Sequence, residues 1–193
     1  CDHQGLVGLA FYDAGARSLY ARRPVKTLAD ARGLKVRVPQ TDVWVAAMAA
    51  IGANATPMPI GEVYTGLKTG LIDAAENNLP SYAGFRHMEA APVYSRTEHA
   101  MTPDLLFIGK RVWDKLTPTQ QGQLREAARA SVQLQRQLWD AAEAQALAAA
   151  KAAGAQQVDV EREPFRQAMA PVYARFVNTP ELQRLVKAIQ ETK

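Results

Sequence analysis

The segment from Thr117 to Ala153 most constrains the fold. Thr117 and Pro118 followed by Gln120 form a helix start, with a hydroxyl cap, a proline at the first helical position and a capping box. Gly154 ends the segment. A helix of this length would be about 50 Å long, which exceeds the width of a compact lobe of this size. It must bridge two lobes or reach a neighbouring chain. Its predicted buried stripe comprises Leu124, Ala128, Leu134, Leu138, Ala142 and Leu147.

Short extended patterns alternate with helical patterns before this segment. The patterns at residues 5–12, 34–38, 71–75 and 98–108 indicate strands, and those at 41–51 and 62–68 indicate helices. Such alternation is typical of an α/β fold with a largely parallel sheet. We therefore predict an α/β lobe over residues 1–116, and the long helix with a helical carboxyl-terminal segment over residues 117–193.

Composition and charge exclude several classes of function. The chain has 193 residues, a net charge of +4 and one cysteine, Cys1, so it forms no internal disulfide. No stretch reaches the about 20 apolar residues that a membrane span needs. The basic residues are spread singly or in pairs such as Arg22 and Arg23, without the basic clusters and aromatic residues typical of nucleic-acid binding. The charge favours an anionic partner only weakly, and we expect no nucleic acid.

Catalytic and metal-binding motifs are not found in the sequence. His3, His87 and His99 are far apart, and neither His-Glu-x-x-His nor Cys-x-x-Cys occurs. The serines lack a Gly-x-Ser-x-Gly motif, and no glycine-rich phosphate loop follows a strand. The sequence therefore predicts no enzyme, no metal site and no cofactor.

Two polar features follow predicted strands and are candidates for a binding site. Arg37 lies in an extended segment just before a helix start, where open α/β sheets bind ligands. A guanidinium group there could bind a carboxylate through two hydrogen bonds, or it could be an exposed arginine that solvates the sheet. Glu76, Asn77 and Asn78 follow another strand and precede Pro80, which fits either a site or a turn.

Four linked blocks make the sequence similar to a known family. They are GLKVRVP at residues 33–39, IGANATPMP at 51–59, EVYTGLKTG at 62–70 and DAAEN at 73–77. Together they resemble the solute-binding subunit of tripartite ATP-independent periplasmic (TRAP) transporters. The resemblance extends to residues 12–17 and to the WDKL block at 113–116, and so covers nearly the whole chain.

The resemblance implies a periplasmic binding protein that closes on a small organic acid. It implies an α/β lobe of the periplasmic-binding-protein type, with a mixed or parallel sheet and a long bridging helix. Arg37 would bind the carboxylate, Asn77 would donate to it with Glu76 alongside, and Arg17 matches a further ligand-facing arginine. Ile60 stands where the family often has an aromatic residue that lines the pocket.

The pair of asparagines suggests a ligand with hydroxyl groups, such as a sugar acid. Asn78 replaces the proline of the family's Glu-Asn-Pro pattern, and Asn78 and Asp42 are the candidates for hydroxyl contacts. The resemblance further implies delivery of the acid to TRAP membrane permease subunits.

The chain is shorter than family members usually are, and the blocks begin close to its first residue. The opening part, which builds most of the other lobe, is expected to be missing, either from a fragment or from a naturally shortened protein. The alternative function is that of a truncated, non-binding oligomerisation or interaction module. In that case the long helix could pair two chains as a homodimer.

Overall fold

A mixed six-stranded sheet forms the centre of the computed structural model, which describes residues 4–192 and so excludes Cys1 and His3. The strand order is β4-β3-β5-β2-β6-β8, and β1 and β7 form a separate antiparallel pair. The strands are β1 (Leu6–Tyr12), β2 (Ala16–Ala21), β3 (Lys35–Val38), β4 (Asn54–Pro57), β5 (Ala74–Asn77), β6 (Val93–Met101), β7 (Asp104–Gly109) and β8 (Gln156–Asp159).

Helices cover both faces of the sheet. They are α1 (Leu28–Ala31), α2 (Asp42–Ala50), α3 (Val63–Thr69), α4 (Leu79–Gly84), α5 (Lys110–Trp113), α6 (Pro118–Ala152), α7 (Arg162–Ala168), α8 (Ala170–Phe176) and α9 (Pro180–Glu191), with short 3-10 turns at Ile60–Glu62 and His87–Glu89. One apolar core forms around β3, α2 and Phe165, and a second forms around α3, α4 and three buried tyrosines. The predicted α/β class is confirmed.

The sheet is mixed because β2 runs against its neighbours. Strand β3 is parallel to β4 and β5, and β6 is parallel to β8, whereas β2 is antiparallel to both β5 and β6. The expected mixed or largely parallel sheet is confirmed, with β2 as the one antiparallel strand of the six. The first residues of β2 consequently lie at the same edge as the last residues of β3 and β5.

Two predicted strand boundaries differ from the structure. The strand predicted at residues 71–75 is β5, which begins only at Ala74 and continues through Glu76 and Asn77, so these two residues belong to the sheet and are buried. The single strand predicted at 98–108 is two strands, β6 and β7. Pro103 separates them, because proline cannot donate to a ladder of hydrogen bonds.

Helix α6 has the predicted start, but of the predicted stripe only Ala128 is buried. The Thr117 hydroxyl accepts from the Gln120 amide in a capping box, as predicted. The buried residues are Ala128, Ala146 and Ala150, whereas Leu134 and Leu138 of the predicted stripe are 57% and 61% exposed. The alanine face lets α6 lie close to its neighbours, while the leucines point outward. Pairing of two chains through α6 stays a prediction.

Helix α6 is fixed to the turn after β1 by side-chain hydrogen bonds. Gln135 accepts from the Asp13 amide at 3.0 Å and donates to the Asp13 carbonyl at 2.7 Å, and the Tyr12 and Ser131 hydroxyls are 2.7 Å apart. After α6, the chain returns to place β8 beside β6. The division at residues 116 and 117 therefore stays a prediction, since both parts contribute to one sheet. No helix within residues 4–192 is long and apolar enough to cross a membrane.

Candidate functional site

Three predicted residues meet at one edge of the sheet. Arg37 lies near the end of β3 and Asn77 ends β5, and parallel strands present these ends at the same edge. Arg17 reaches this edge from the other direction, because Ser18 of β2 is paired with Asn77. The edge thus gathers two guanidinium groups and one amide, as the sequence predicted for a site at the ends of the strands.

The guanidinium of Arg37 is held by a backbone carbonyl. Its Nε and Nη2 donate to the Met58 carbonyl oxygen at 2.9 and 2.6 Å, and the residue is only 4% exposed. Burial lowers the pKa of Arg37 from its usual value, and the negative charge of Glu76 opposes that shift. A guanidinium remains charged under these conditions, so Arg37 brings a buried positive charge that its neutral hydrogen-bond acceptor does not cancel.

Arg17 and Glu76 form a two-point ion pair. Arg17 Nε lies 2.7 Å from Glu76 Oε2, and Nη2 lies 2.7 Å from Oε1, with the glutamate fully buried. Burial disfavours the charge on Arg17, but the contacts with Glu76 outweigh this effect and raise its pKa. Burial also disfavours the charge on Glu76, yet its interactions with His99 and Arg17 leave its pKa below the usual value. The pair is neutral as a unit.

Asn77 is oriented by the hydrogen bonds that its oxygen accepts. Arg17 Nη1 donates to Asn77 Oδ1 at 3.0 Å, and the Asn78 amide donates to the same oxygen at 2.9 Å. The amide group of Asn77 must therefore point its nitrogen, Nδ2, away from these donors. No residue within 4–192 accepts from Nδ2, which leaves it available to donate to a ligand.

Asn78 has a structural role at the start of α4. Its Oδ1 accepts from the Ser81 amide at 2.9 Å, and its Nδ2 donates to the Ala14 carbonyl at 2.8 Å. Both polar atoms of the side chain are therefore used within the protein. The predicted hydroxyl contact from Asn78 stays a prediction.

The two remaining predicted residues lie on segments that follow the strands. Asp42 is exposed in the first turn of α2, directly after β3. Ile60 begins a 3-10 turn after β4 and packs on the second apolar core. Their contacts with a ligand stay predictions.

Sequence reasoning missed two side chains that surround Arg17. The Arg17 guanidinium lies over the Trp44 ring, 5.2 Å from its centroid. His99 meets Trp44 edge-on at 5.7 Å, and its Nε2 lies 3.4 Å from Glu76 Oε2. Trp44 had a signal in the sequence, since it lies in the first turn of the helix that follows the arginine strand. His99 had none.

A bulge in β6 explains the position of His99. Residues 96–99 lie opposite the single residue Ser18, because the register passes from Ser95 beside Leu19 to Ala100 beside Arg17. Within the bulge, Glu98 has a φ of 42°, a value that few residues other than glycine adopt. Thr97 Oγ1 accepts from the Leu19 amide at 3.1 Å and lies 2.8 Å from His99 Nδ1. Bulges are frequent beside functional sites, where they redirect side chains.

A buried aromatic cluster supports the strands behind the site. The Tyr94 hydroxyl donates to the Asn77 carbonyl at 2.9 Å, and the Tyr20 hydroxyl is hydrogen-bonded to His87 Nδ1 at 2.8 Å. Burial, with a contribution from the charge of Arg37, lowers the pKa of His87 to about 4. His87 is therefore neutral near pH 7 and adds no charge to the site.

The described side chains suit capture of an anion and carry no metal centre. Within residues 4–192, no group of three or more His, Cys, Asp or Glu side chains is placed to hold a metal ion. The edge instead offers one uncancelled guanidinium and one free amide donor, the groups that recognise a carboxylate.

An α/β lobe with such an edge defines a receptor of the periplasmic-binding-protein class. The family model described as bacterial extracellular solute-binding protein, family 7 (DctP), matches residues 1–179. The chain belongs to this family. Its members are substrate-binding proteins of TRAP transporters, not enzymes.

Solved relatives share both the fold and much of the sequence. A TRAP solute-binding protein from Xanthobacter autotrophicus Py2, with bound β-D-galacturonate, is 51% identical with a TM-score of 0.96, over 100% of this chain and 65% of that chain. One from Bradyrhizobium, in complex with α/β-D-galacturonate, is 53% identical with a TM-score of 0.94, over 99% and 64%. The predicted lobe of the periplasmic-binding-protein type is confirmed.

Curated relatives show the same partial coverage. The 2,3-diketo-L-gulonate-binding periplasmic protein YiaO of Escherichia coli is 36% identical over 98% of this chain and 59% of its own length. A solute-binding protein of Chromohalobacter salexigens is 42% identical over 98% of this chain and 57% of its own length. The chain thus spans less than two thirds of these relatives.

Proposed function

We propose that this chain binds a sugar acid of the hexuronate type through its carboxylate. The observation that carries the proposal is the difference between the two arginines. Glu76 cancels the charge of Arg17, whereas among the described residues the Arg37 guanidinium donates hydrogen bonds only to the neutral Met58 carbonyl. The site therefore has a net positive charge at Arg37, next to the free Nδ2 of Asn77. A single carboxylate complements that arrangement.

The relatives support the same ligand class. The two solved proteins above carry galacturonate at 51% and 53% identity, and a neighbour from Roseobacter denitrificans at 40% identity carries β-D-glucuronate. Each of these ligands has one carboxylate and several hydroxyl groups. No relative supports the alternative of a non-binding oligomerisation module.

Capture begins with the carboxylate and ends with the exclusion of water. One carboxylate oxygen accepts from the free part of the Arg37 guanidinium and the other from Asn77 Nδ2. Arg17 holds Asn77 in the required orientation, and Glu76 and Trp44 hold Arg17. Closure of a second lobe over the ligand would lower the local dielectric constant and strengthen the ion pair.

Membership of the family supports a cellular compartment and a receiving partner for this binding step. Because the relatives serve TRAP transporters, the protein acts in the periplasm and delivers its acid to the membrane permease subunits. Delivery transfers the ligand from one protein to another without a chemical reaction, since no covalent bond of the ligand breaks or forms.

Calorimetric titration of the chain with D-galacturonate tests the proposal. We expect saturable binding of the acid and none of D-galactose, which lacks the carboxylate. Arg37→Ala should weaken binding about a hundredfold, as expected for removal of one partner of a buried charge pair. Arg136→Ala, which removes an exposed arginine of α6, is the matched control. Equal affinity of the Arg37 variant and the control would overturn the proposal, as would failure of the unmodified chain to bind any sugar acid.

A further inference from the structure

The fold collects basic residues at the end of the lobe opposite the binding edge. Arg22 and Arg23 follow the end of β2, and Lys35 begins β3. Because β2 is antiparallel to β5 whereas β3 is parallel to it, these positions meet at one edge, beside the start of β5. We call this surface the basic end. It comprises Arg22, Arg23, Lys26, Arg32, Lys35 and Lys68, with Asp30 and Asp73 as its carboxylates.

This surface accounts for the net charge of the chain. Six of the 23 lysines and arginines and two of the 19 aspartates and glutamates lie there, so 17 residues of each sign remain elsewhere and cancel. No local pattern in the sequence indicates this surface, since the six residues are spread from position 22 to position 68. Arg86 and Glu89, which lie next to Lys68, pair with each other at 2.7 Å.

Both carboxylates of the basic end accept hydrogen bonds from backbone amides. Asp30 Oδ2 accepts from the amides of Lys26 and Thr27 at 3.0 and 2.9 Å. Asp73 Oδ2 accepts from the Lys35 amide at 2.9 Å. These carboxylates hold the chain in place, and no ion pair joins either of them to a basic side chain within the described residues. The basic side chains of this surface are therefore not paired with its two carboxylates.

The arginines surround a concave site and do not form a flat patch. Arg22, Arg23 and Arg32, all exposed, line a cavity of 380 Å³ together with Asp73. Arg22 is fixed by its bond to the Leu67 carbonyl at 2.6 Å, and Lys35 by its bond to the Gly70 carbonyl at 2.8 Å. A cavity lined by three guanidinium groups suits carboxylate side chains that project from a partner, because a guanidinium can bind a carboxylate at two points.

We infer that the basic end docks an acidic segment of a partner protein. The concave shape and the arginines favour projecting aspartate and glutamate side chains over a flat membrane surface. The surface lies at the opposite edge of the sheet from Arg37 and Asn77, so docking leaves the ligand site free. This interaction is independent of the proposed function.

Fluorescence anisotropy with a labelled octaglutamate peptide tests the inference. We expect binding at low salt that weakens strongly at about 0.3 M salt, where the Debye length is shorter than at physiological salt. A triple variant, Arg22→Gln, Arg23→Gln and Arg32→Gln, should bind the peptide about tenfold more weakly or worse. Its circular dichroism spectrum and thermal unfolding midpoint should equal those of the unmodified chain, which shows that the variant is folded.

A second triple variant separates a local surface from overall charge. Arg129→Gln, Arg136→Gln and Arg184→Gln remove the same charge from exposed positions on α6 and α9. If this control loses peptide affinity equally, the inference is wrong, because net charge alone then determines binding. Binding to vesicles that contain phosphatidylglycerol, without binding to the peptide, would also overturn it, as would binding to neither.

Discussion

Arg17 holds Glu76 through two hydrogen bonds of 2.7 Å, although the carboxylate is completely buried. The two residues come from neighbouring antiparallel strands. Two opposite charges that lie together inside a protein are stable only as a pair, since each would be costly to bury alone.

Removal of Arg17 should therefore destabilise the fold strongly at neutral pH. We expect Arg17→Met to lower the free energy of unfolding by about 3 to 5 kcal/mol at pH 7, because Glu76 is left buried without its partner. In the unmodified chain the pKa of Glu76 is below its usual value, so its stabilisation is complete above the unfolded pKa and is lost as the pH falls through the folded pKa.

In the variant, burial still disfavours the charge of Glu76, but Arg17 no longer compensates for it. Protonation of Glu76 at low pH removes that charge and so removes the cost of burying it. The stability gap between the two proteins should narrow as the pH falls from 7 to 4. Urea unfolding at several pH values measures this gap. A gap that stays constant with pH would contradict the assignment of Glu76 as the ionised partner.

Asn77→Asp removes the free donor and keeps the contacts of the oxygen. Aspartate keeps an oxygen that accepts from Arg17 and from the Asn78 amide, but it adds a charge at a buried position beside Glu76, so the free energy of unfolding should fall by about 1 to 3 kcal/mol. The free donor Nδ2 becomes a second carboxylate oxygen, which repels the ligand carboxylate. We expect affinity for D-galacturonate to fall about a hundredfold or more. Undiminished calorimetric binding would exclude Asn77 from the site.

His87 should make stability depend on pH between about 4 and 6.5. Burial, with a contribution from Arg37, lowers its pKa to about 4, whereas an unfolded histidine titrates near 6.5. The unfolded chain then binds more protons in this window, so stability is complete above about pH 6.5 and is lost as the pH falls. Each pH unit in the window corresponds to about 1.4 kcal/mol, or about 2 kcal/mol from pH 6.5 to pH 5.

His87→Gln removes this titration and should remove that part of the loss. Denaturant unfolding of both proteins at pH 6.5 and pH 5 gives the comparison. An identical loss in the variant would show that other groups account for it.

Gly15 permits the close approach of α6 to the turn between β1 and β2. Its φ is 65°, and an added Cβ would lie 2.7 Å from Glu143 Oε1 and 3.0 Å from Trp139 Nε1. Gly15→Ala combines an unfavourable backbone conformation with this overlap, so we expect a loss of about 2 to 4 kcal/mol in the free energy of unfolding.

Gly154→Ala is the matched control for this change. Gly154 has a φ of 84°, and an added Cβ there meets nothing within 4 Å. The Gly154→Ala variant should therefore lose only the free energy that the left-handed backbone conformation costs an alanine, about 1 to 2 kcal/mol. Equal losses in thermal unfolding would mean that the contact at Gly15 adds no strain.

Local patterns predicted the parts of the fold that depend on local chemistry. The capping box at Thr117 and the ending at Gly154 set the limits of α6, and a strand followed by a helix placed Arg37 at the edge of the sheet. The position of Asn77 followed from the same reasoning once β5 was recognised. These features need only neighbours in the sequence.

Features that depend on distant pairing could not be predicted. The antiparallel direction of β2 depends on β5 and β6, which lie far along the chain. The bulge that brings His99 to Glu76 has no pattern in residues 96–99, because its hydrogen-bond partners, the Ser18 hydroxyl and the Leu19 amide, belong to another strand. The outward leucines of α6 were misassigned for a similar reason, since a regular apolar pattern does not show which face meets the rest of the protein.

Strand β2 lies in the middle of the sheet, which links the assembly of the candidate site to the order in which the strands are synthesised. Both strands that flank β2 in the sheet follow it in the sequence, and the contact between Arg17 and Glu76 spans 59 positions. During synthesis, β2 is therefore complete before either of these two partner strands. Long-range pairing of this kind forms slowly. We therefore expect the edge that holds Arg17, Arg37 and Asn77 to be among the last features to assemble, and a ligand that binds this edge would report that the sheet has formed.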